Sequence, residues 1–82
     1  MFAGMILTEV WPWSDREGAK RWVYGRTKPT LRAFDLGGNA EILKPFKDEE
    51  RYFVTCGRQR GWITGGLMDA MGLALEYMKG TE

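Results

Sequence analysis

Turn-forming residues divide this 82-residue chain into short segments, and this punctuation constrains its fold more than any other feature. The chain has 11 glycines and three prolines, and the segments between them are rich in aromatic and β-branched residues. Such segments are typical of β-strands, because glycine and proline interrupt regular structure while β-branched side chains pack well on a pleated sheet. We therefore predict strands along most of the chain, with an exception at the C-terminus.

Most of the predicted strands are separated by clear turn signals. They cover residues 5–11, 31–36, 40–44, 51–56 and 62–64. Gly37-Gly38-Asn39 predicts a tight reversal that pairs the second of these strands with the third, because these residue types tolerate positive φ. A five-residue loop, Gly57-Arg58-Gln59-Arg60-Gly61, is predicted to join the last two.

Residues 14–25 allow two interpretations. Ser14 and Glu17 have the spacing of a capping box, which predicts a helix. Alternatively, residues 15–18 form a hairpin loop and residues 20–28 return as a strand. We favour the hairpin, because a glycine is unfavourable inside a helix and the aromatic and β-branched residues that follow are better strand formers.

The C-terminal segment has the period of a helix. From Gly66 to Lys79, one apolar stripe contains Leu67, Met71, Ala74, Leu75 and Met78. Thr64 is predicted to cap its start and Gly80 to end it. Strands that meander and then lead into one amphipathic helix predict an α+β fold: an antiparallel sheet of four to five strands with the helix on one face. We expect residues 1–82 to form one domain, with the other sheet face uncovered by any obvious element.

The absence of histidine and the single cysteine exclude most catalytic and metal-binding constellations. We therefore predict a protein that is not an enzyme and that has no metal or cofactor. Asp35 lies among apolar residues, where a carboxyl pKa can rise, although an edge-strand charge is the favoured interpretation. Cys56 is predicted to be a core residue rather than a reactive thiolate.

Charge and hydropathy limit the remaining classes. The net charge of +1 excludes an acidic mimic of nucleic acid and a strongly basic nucleic-acid binder. No apolar run approaches the ~20 residues of a membrane span, and no signal peptide is recognisable. We expect a soluble, cytoplasmic protein.

Basic residues are nevertheless segregated. Arg58 and Arg60, just before a helix start, are the best candidate for binding an anion, although a solvated hairpin tip is the simpler interpretation. Between positions 18 and 34 there are five basic residues and no acid, namely Lys20, Arg21, Arg26, Lys28 and Arg32. Trp22 and Tyr24 alternate with them, a mixture that suits single-stranded nucleic acid or a protein interface.

Aromatic residues are more numerous than a core of this size can bury, with 11 in the chain. We predict an exposed aromatic patch that acts as a contact surface, formed by Trp11, Trp13, Trp22 and Tyr24. Alternatively, these residues cover the second sheet face within the chain or in a homodimer.

In size and composition, rather than in any motif, the chain resembles small phage-encoded inhibitors of host defence, including anti-CRISPR proteins. The resemblance implies a non-enzymatic protein that occludes a surface of a nucleic-acid-processing or defence complex. The predicted contact residues are Arg26, Arg58, Arg60 and the aromatic patch. The alternative hypothesis is direct binding of single-stranded nucleic acid, with Trp22 and Tyr24 stacking on bases and phosphate contacts from Lys20, Arg21, Arg26, Lys28, Arg58 and Arg60.

Overall fold

The computed structural model describes residues 5–10, 17–26 and 39–80. Within them lie five strands and one helix: β1 (Ile6–Val10), β2 (Lys20–Gly25), β3 (Ala40–Lys44), β4 (Arg51–Cys56), β5 (Gln59–Thr64) and α1 (Leu67–Gly80). The strands form one sheet in the order β1-β2-β3-β4-β5, and each is antiparallel to its neighbours. The predicted α+β fold, a meander with a C-terminal helix packed on it, is confirmed.

The β1–β2 hairpin decides between the two interpretations of residues 14–25. Leu7 pairs with Tyr24 across the two strands, and Gly18 lies in the turn before β2 with a φ of 81°. That angle is unfavourable for other residues, so the glycine fits a turn and not a helix. The hairpin interpretation is confirmed over residues 17–25, although β2 ends at Gly25 rather than at position 28.

Strand β3 corrects the second predicted hairpin. Ile42 pairs with Trp22 of β2 on one side and with Val54 of β4 on the other. Both edges of β3 are therefore occupied, so the expected pairing of residues 31–36 with 40–44 is wrong. Residues 31–36, with Asp35, lie outside the described residues.

The β4–β5 hairpin is tighter than predicted. Its turn consists of Gly57 and Arg58 alone, and Cys56 pairs with Gln59 directly across it. Gly57 has a φ of 61°, and positive φ at the first central position only is the pattern of a type II′ turn. The five-residue loop was wrong because one correctly placed glycine is enough to reverse the chain, and β5 consequently starts at Gln59.

Helix α1 is capped by Gly66 and Asp69 rather than by Thr64. The Gly66 N–H donates to Asp69 Oδ2 at 3.0 Å, and the Ala70 N–H donates to the Gly66 carbonyl at 3.2 Å. Gly66 is therefore the N-cap, and Asp69, three residues later, accepts a hydrogen bond from its N–H as the acid of a capping box does. Thr64 is the last residue of β5, where it pairs with Arg51.

The core lies between α1 and the facing side of β3, β4 and β5. Ala70 and Ala74 are fully buried there, and such small side chains allow a helix to approach a sheet closely. Four residues of the predicted stripe, Leu67, Met71, Ala74 and Met78, lie in the core cluster or pack against it, whereas Leu75 does not. The prediction missed three other helix residues that do so, namely Ala70, Leu73 and Tyr77. Cys56 is buried in the same cluster, as predicted. In the described part of the chain, no helix is long and apolar enough to span a bilayer.

Candidate functional site

Trp22 and Tyr24 do not belong to an exposed aromatic patch, so the expectation is wrong for these two residues. They are 8% and 1% exposed and lie opposite Ile42 and Ala40 on the side of the sheet that faces the core. The Trp22 ring lies 6.1 Å from that of Tyr52. Burial raises the pKa of the Tyr24 phenol. Buried rings cannot stack on bases, which removes both residues from the predicted nucleic-acid site as well. Trp11, Trp13 and Lys28 lie outside the described residues.

The predicted basic residues form no single patch. Arg21 makes an ion pair with Glu41, and both side chains are mostly buried. Lys20 and Arg26 are exposed at opposite ends of β2, about 20 Å apart for an extended strand. Arg26 and Arg58 lie at the same end of the sheet, since β2 and β4 run in the same direction.

A different aromatic cluster lies on the sheet side opposite α1. Leu43, Phe53 and Trp62 are direct cross-strand neighbours on β3, β4 and β5, and alternation along the strands turns all three away from the core. Trp62 is 53% exposed. With the adjoining Pro45, Phe46 and Arg51, we call this cluster the Trp62 face.

Arginine and aromatic contacts order the Trp62 face. The Arg51 guanidinium carbon lies 4.7 Å from the centroid of the Trp62 ring and 5.5 Å from that of Phe46. Both distances suit cation–π attraction. Arg51 Nη2 also lies 3.2 Å from Glu49 Oε2. The Phe53 and Trp62 rings are 5.0 Å apart with an interplanar angle of 57°, a favourable tilted geometry. The exposed tryptophan is therefore held by its neighbours.

A shallow hollow of about 160 Å³ lies in the Trp62 face, lined by Leu43, Pro45, Phe53 and Trp62. All of the lining residues are apolar, so the hollow suits an apolar side chain rather than a charged one. Exposure on this side of the sheet is local, because Val23 on β2 is 2% exposed. The expectation of an uncovered sheet face therefore holds near β5 and is wrong at β2.

Charges are divided between the two ends of the Trp62 face: exposed Arg58 and Arg60 lie towards the β4–β5 turn, and the exposed Asp48, Glu49 and Glu50 precede β4. Arg60 lies two residues before Trp62 on the same side of β5, is exposed, and has no ion pair within the described ranges. On the strands of this side, Glu41 is already paired with Arg21. The nearby Glu49 is paired with Arg51. On β5 the aromatic row therefore lies beside an available positive charge, that of Arg60, while the exposed acids of the turn before β4 lie at the Arg51 end.

The predicted aromatic patch is wrong at Trp22 and Tyr24, and it did not include Trp62, the exposed tryptophan of the described residues. The sequence prediction began the last strand at Trp62, so Arg60 and Gly61 were assigned to a loop. In the observed β5 (Gln59–Thr64), alternation places Trp62 on the same side as Arg60 and on the opposite side from Gly61 and Ile63. That pattern was the available signal for an exposed tryptophan. Among the residues that the structure describes, no group of histidine, cysteine, aspartate and glutamate could hold a metal ion.

No family model matches this chain, and no curated protein or solved structure is significantly similar to it. The arrangement of the Trp62 face is therefore the basis on which a function can be proposed.

Proposed function

We propose that this chain is a non-enzymatic binding protein that acts by occluding a surface of a protein partner, and that the Trp62 face makes the contact. One observation carries the proposal: a half-exposed tryptophan beside an apolar hollow, braced by an arginine. Tryptophan and arginine contribute more binding energy at interfaces than most residue types, especially next to a pocket that excludes water.

Rigid support favours binding further. Phe53 and Trp62 lie on paired strands rather than on loops, and Arg51 already contacts both Trp62 and Phe46. Side chains that are ordered before binding lose less conformational entropy on association. The face therefore supports tighter binding than a mobile loop of the same composition.

The partner class that we propose is a nucleic-acid-processing or defence complex of a phage host. The resemblance in size and composition to small phage-encoded inhibitors supports this class. Occlusion requires only shape and charge complementarity, which a small sheet face can supply without catalysis.

Single-stranded nucleic acid is the second candidate ligand. Phe53 and Trp62 are aromatic neighbours on an uncovered part of a sheet, with Arg60 beside them, and such platforms stack bases. Against this, the Arg51 guanidinium already lies over the Trp62 ring, where a base would stack. A second copy of the chain is the remaining occupant of interest, since a homodimer would cover the same surface.

A pair of matched variants tests the proposal. Trp62→Ser removes the exposed ring, and Met68→Ser is its control, because Met68 is 66% exposed on α1. We expect affinity purification from the native host to recover a partner protein with the wild type and with Met68→Ser, and to lose it with Trp62→Ser. Equal recovery by all three proteins would contradict the proposed face.

Two further measurements separate the other occupants. Single-stranded DNA and RNA should show no mobility shift at micromolar protein, whereas a direct binder would shift them and lose affinity steeply between about 50 and 200 mM salt. Light scattering that gives twice the mass of 9.4 kDa, and a return to that mass with Trp62→Ser, would instead identify a homodimer.

A further inference from the structure

We propose that the Trp62 face recognises an extended acidic segment of the partner, with an apolar side chain between two carboxylates on one side of that segment. This inference rests on the proposed function and adds the chemistry of the partner. The order of side chains along β4 and β5 supports it.

Three cross-strand rows follow one another on the exposed side of these two strands. Arg51 pairs with Thr64 in the first row, Phe53 with Trp62 in the second, and Arg60 with Thr55 in the third. An arginine therefore lies on each side of the aromatic row. Arg51 lies on β4 and Arg60 lies on β5, so the two arginines are on different strands and at opposite ends of the three rows.

Spacing along the strands determines the matching ligand. Rows two residues apart are separated by about 6.8 Å, so the two arginine rows are about 13–14 Å apart. Side chains on one face of an extended peptide repeat at the same distance. A segment with an acid, an apolar residue and an acid at alternate positions matches this row spacing, with one acid reaching Arg60 and the other reaching the Arg51 guanidinium where it lies 4.7 Å from the centroid of the Trp62 ring.

Both arginines can accept such a partner. Arg60 is exposed and has no ion pair in the part of the chain that the structure describes. Arg51 pairs with Glu49 through Nη2, and its side chain remains 43% exposed. A guanidinium has five N–H donors, so one carboxylate partner leaves donors for another. Exposed Arg58, in the adjoining turn, extends the positive region beyond the third row.

Charge complementarity also selects against basic segments. Glu41 and Glu49 are each paired with an arginine, whereas the exposed Asp48 and Glu50, in the turn before β4, have no ion pair among the described residues. A lysine in place of either carboxylate of the partner would meet an arginine, which is repulsive. An acid opposite Arg60, which lies in the row farthest from those turn acids, is therefore the feature of the partner that this surface specifies most strongly.

Nuclear magnetic resonance titration of the full chain tests the inference with defined peptides. The probe is a short blocked peptide with glutamate, tryptophan and glutamate at alternate positions and serine between them. One control replaces both glutamates by lysine, and a second keeps the composition but places the glutamates next to the tryptophan. The readout is the indole N–H resonance of Trp62, assigned from its absence in Trp62→Phe.

We expect the alternating acidic peptide to shift this resonance below about 1 mM, and both control peptides to bind more weakly. Arg60→Glu should lower the affinity for the acidic peptide by about 3–10-fold, while Arg60→Lys should retain most of that affinity. Lys79→Glu is the matched control, because Lys79 is exposed on α1, and it should leave the affinity for the acidic peptide unchanged.

Equal binding of the lysine peptide or of the rearranged peptide would overturn the inference, as would no shift of the indole resonance by any peptide. A stronger shift with oligo(dT) would assign the face to nucleic acid instead. These failures differ from failure of the proposed function, which is measured by partner recovery with Trp62→Ser.

Discussion

Replacing Trp22 and Trp62 by alanine, one at a time, distinguishes a core tryptophan from a contact tryptophan. Trp22 is 8% exposed within the core cluster, whereas Trp62 is 53% exposed on the opposite side of the sheet. We expect Trp22→Ala to lower the free energy of unfolding substantially and Trp62→Ala to lower it modestly. The two residues thus separate stability from binding.

The magnitudes follow from the contacts. Truncation of a buried tryptophan leaves a cavity and costs about 3–5 kcal/mol. At position 62 the vacated space opens to solvent, so the loss consists mainly of two ring contacts. The Arg51 contact contributes about 0.5–1 kcal/mol and the Phe53 contact about 0.5–1.5 kcal/mol, which gives about 1–2.5 kcal/mol in total. The stability of a chain of this length is about 4–12 kcal/mol, so Trp22→Ala can remove most of it.

Urea unfolding followed by far-ultraviolet circular dichroism measures both free energies on the same scale. If Trp22→Ala does not fold, Trp22→Phe keeps a buried aromatic ring and should still cost more than Trp62→Phe. A loss at position 62 equal to or larger than that at position 22 would refute the placement of the two tryptophans on opposite sides of the sheet.

Three further predictions concern the core and its edges. Gly25→Ala should unfold the protein or cost several kcal/mol, because an added Cβ would overlap the buried Asn39 side chain; a denaturation midpoint equal to that of the wild type would contradict this. Cys56 is 2% exposed, so a thiol reagent should modify it only after unfolding, and rapid modification of the native protein would be inconsistent with its burial. Burial raises the pKa of the Tyr24 phenol, and burial with a hydrogen bond to Glu50 raises that of Tyr52. The stability that these two neutral phenols contribute is complete below pH ~10 and is lost as the pH rises through their folded-state pKa values, because the tyrosines of the unfolded chain ionise first. The phenolate absorbance of the native protein should therefore rise at a higher pH than that of free tyrosine.

Local patterns were sufficient for much of the fold. The period of the C-terminal segment predicted α1 to within one residue at each end, and β-branched and aromatic residues predicted β4 with its observed bounds. The hairpin before β2 followed from the preference of Gly18 for a turn. These features depend on neighbours in sequence, which is why the sequence alone predicts them.

Pairing and exposure depend on residues far apart in the chain, and there the sequence was insufficient. A run of glycines shows that the chain reverses but not which strands then pair, and β3 joined β2 and β4. Trp22 is buried because it lies opposite Ile42, which itself lies opposite Val54 beneath α1. Composition showed that some tryptophan must be exposed, but only the register of five strands shows that Trp62 is exposed and Trp22 is not.

Site-specific photo-crosslinking tests the central claim most directly. A benzophenone amino acid placed at position 62 lies on the proposed contact face, and the same group at position 68 lies on α1, at another exposed apolar residue. We expect irradiation in host extract to yield a discrete crosslink to one partner protein from position 62 and none to that protein from position 68. A crosslink to that partner from position 68, with none from position 62, would contradict the assignment of the contact to the Trp62 face.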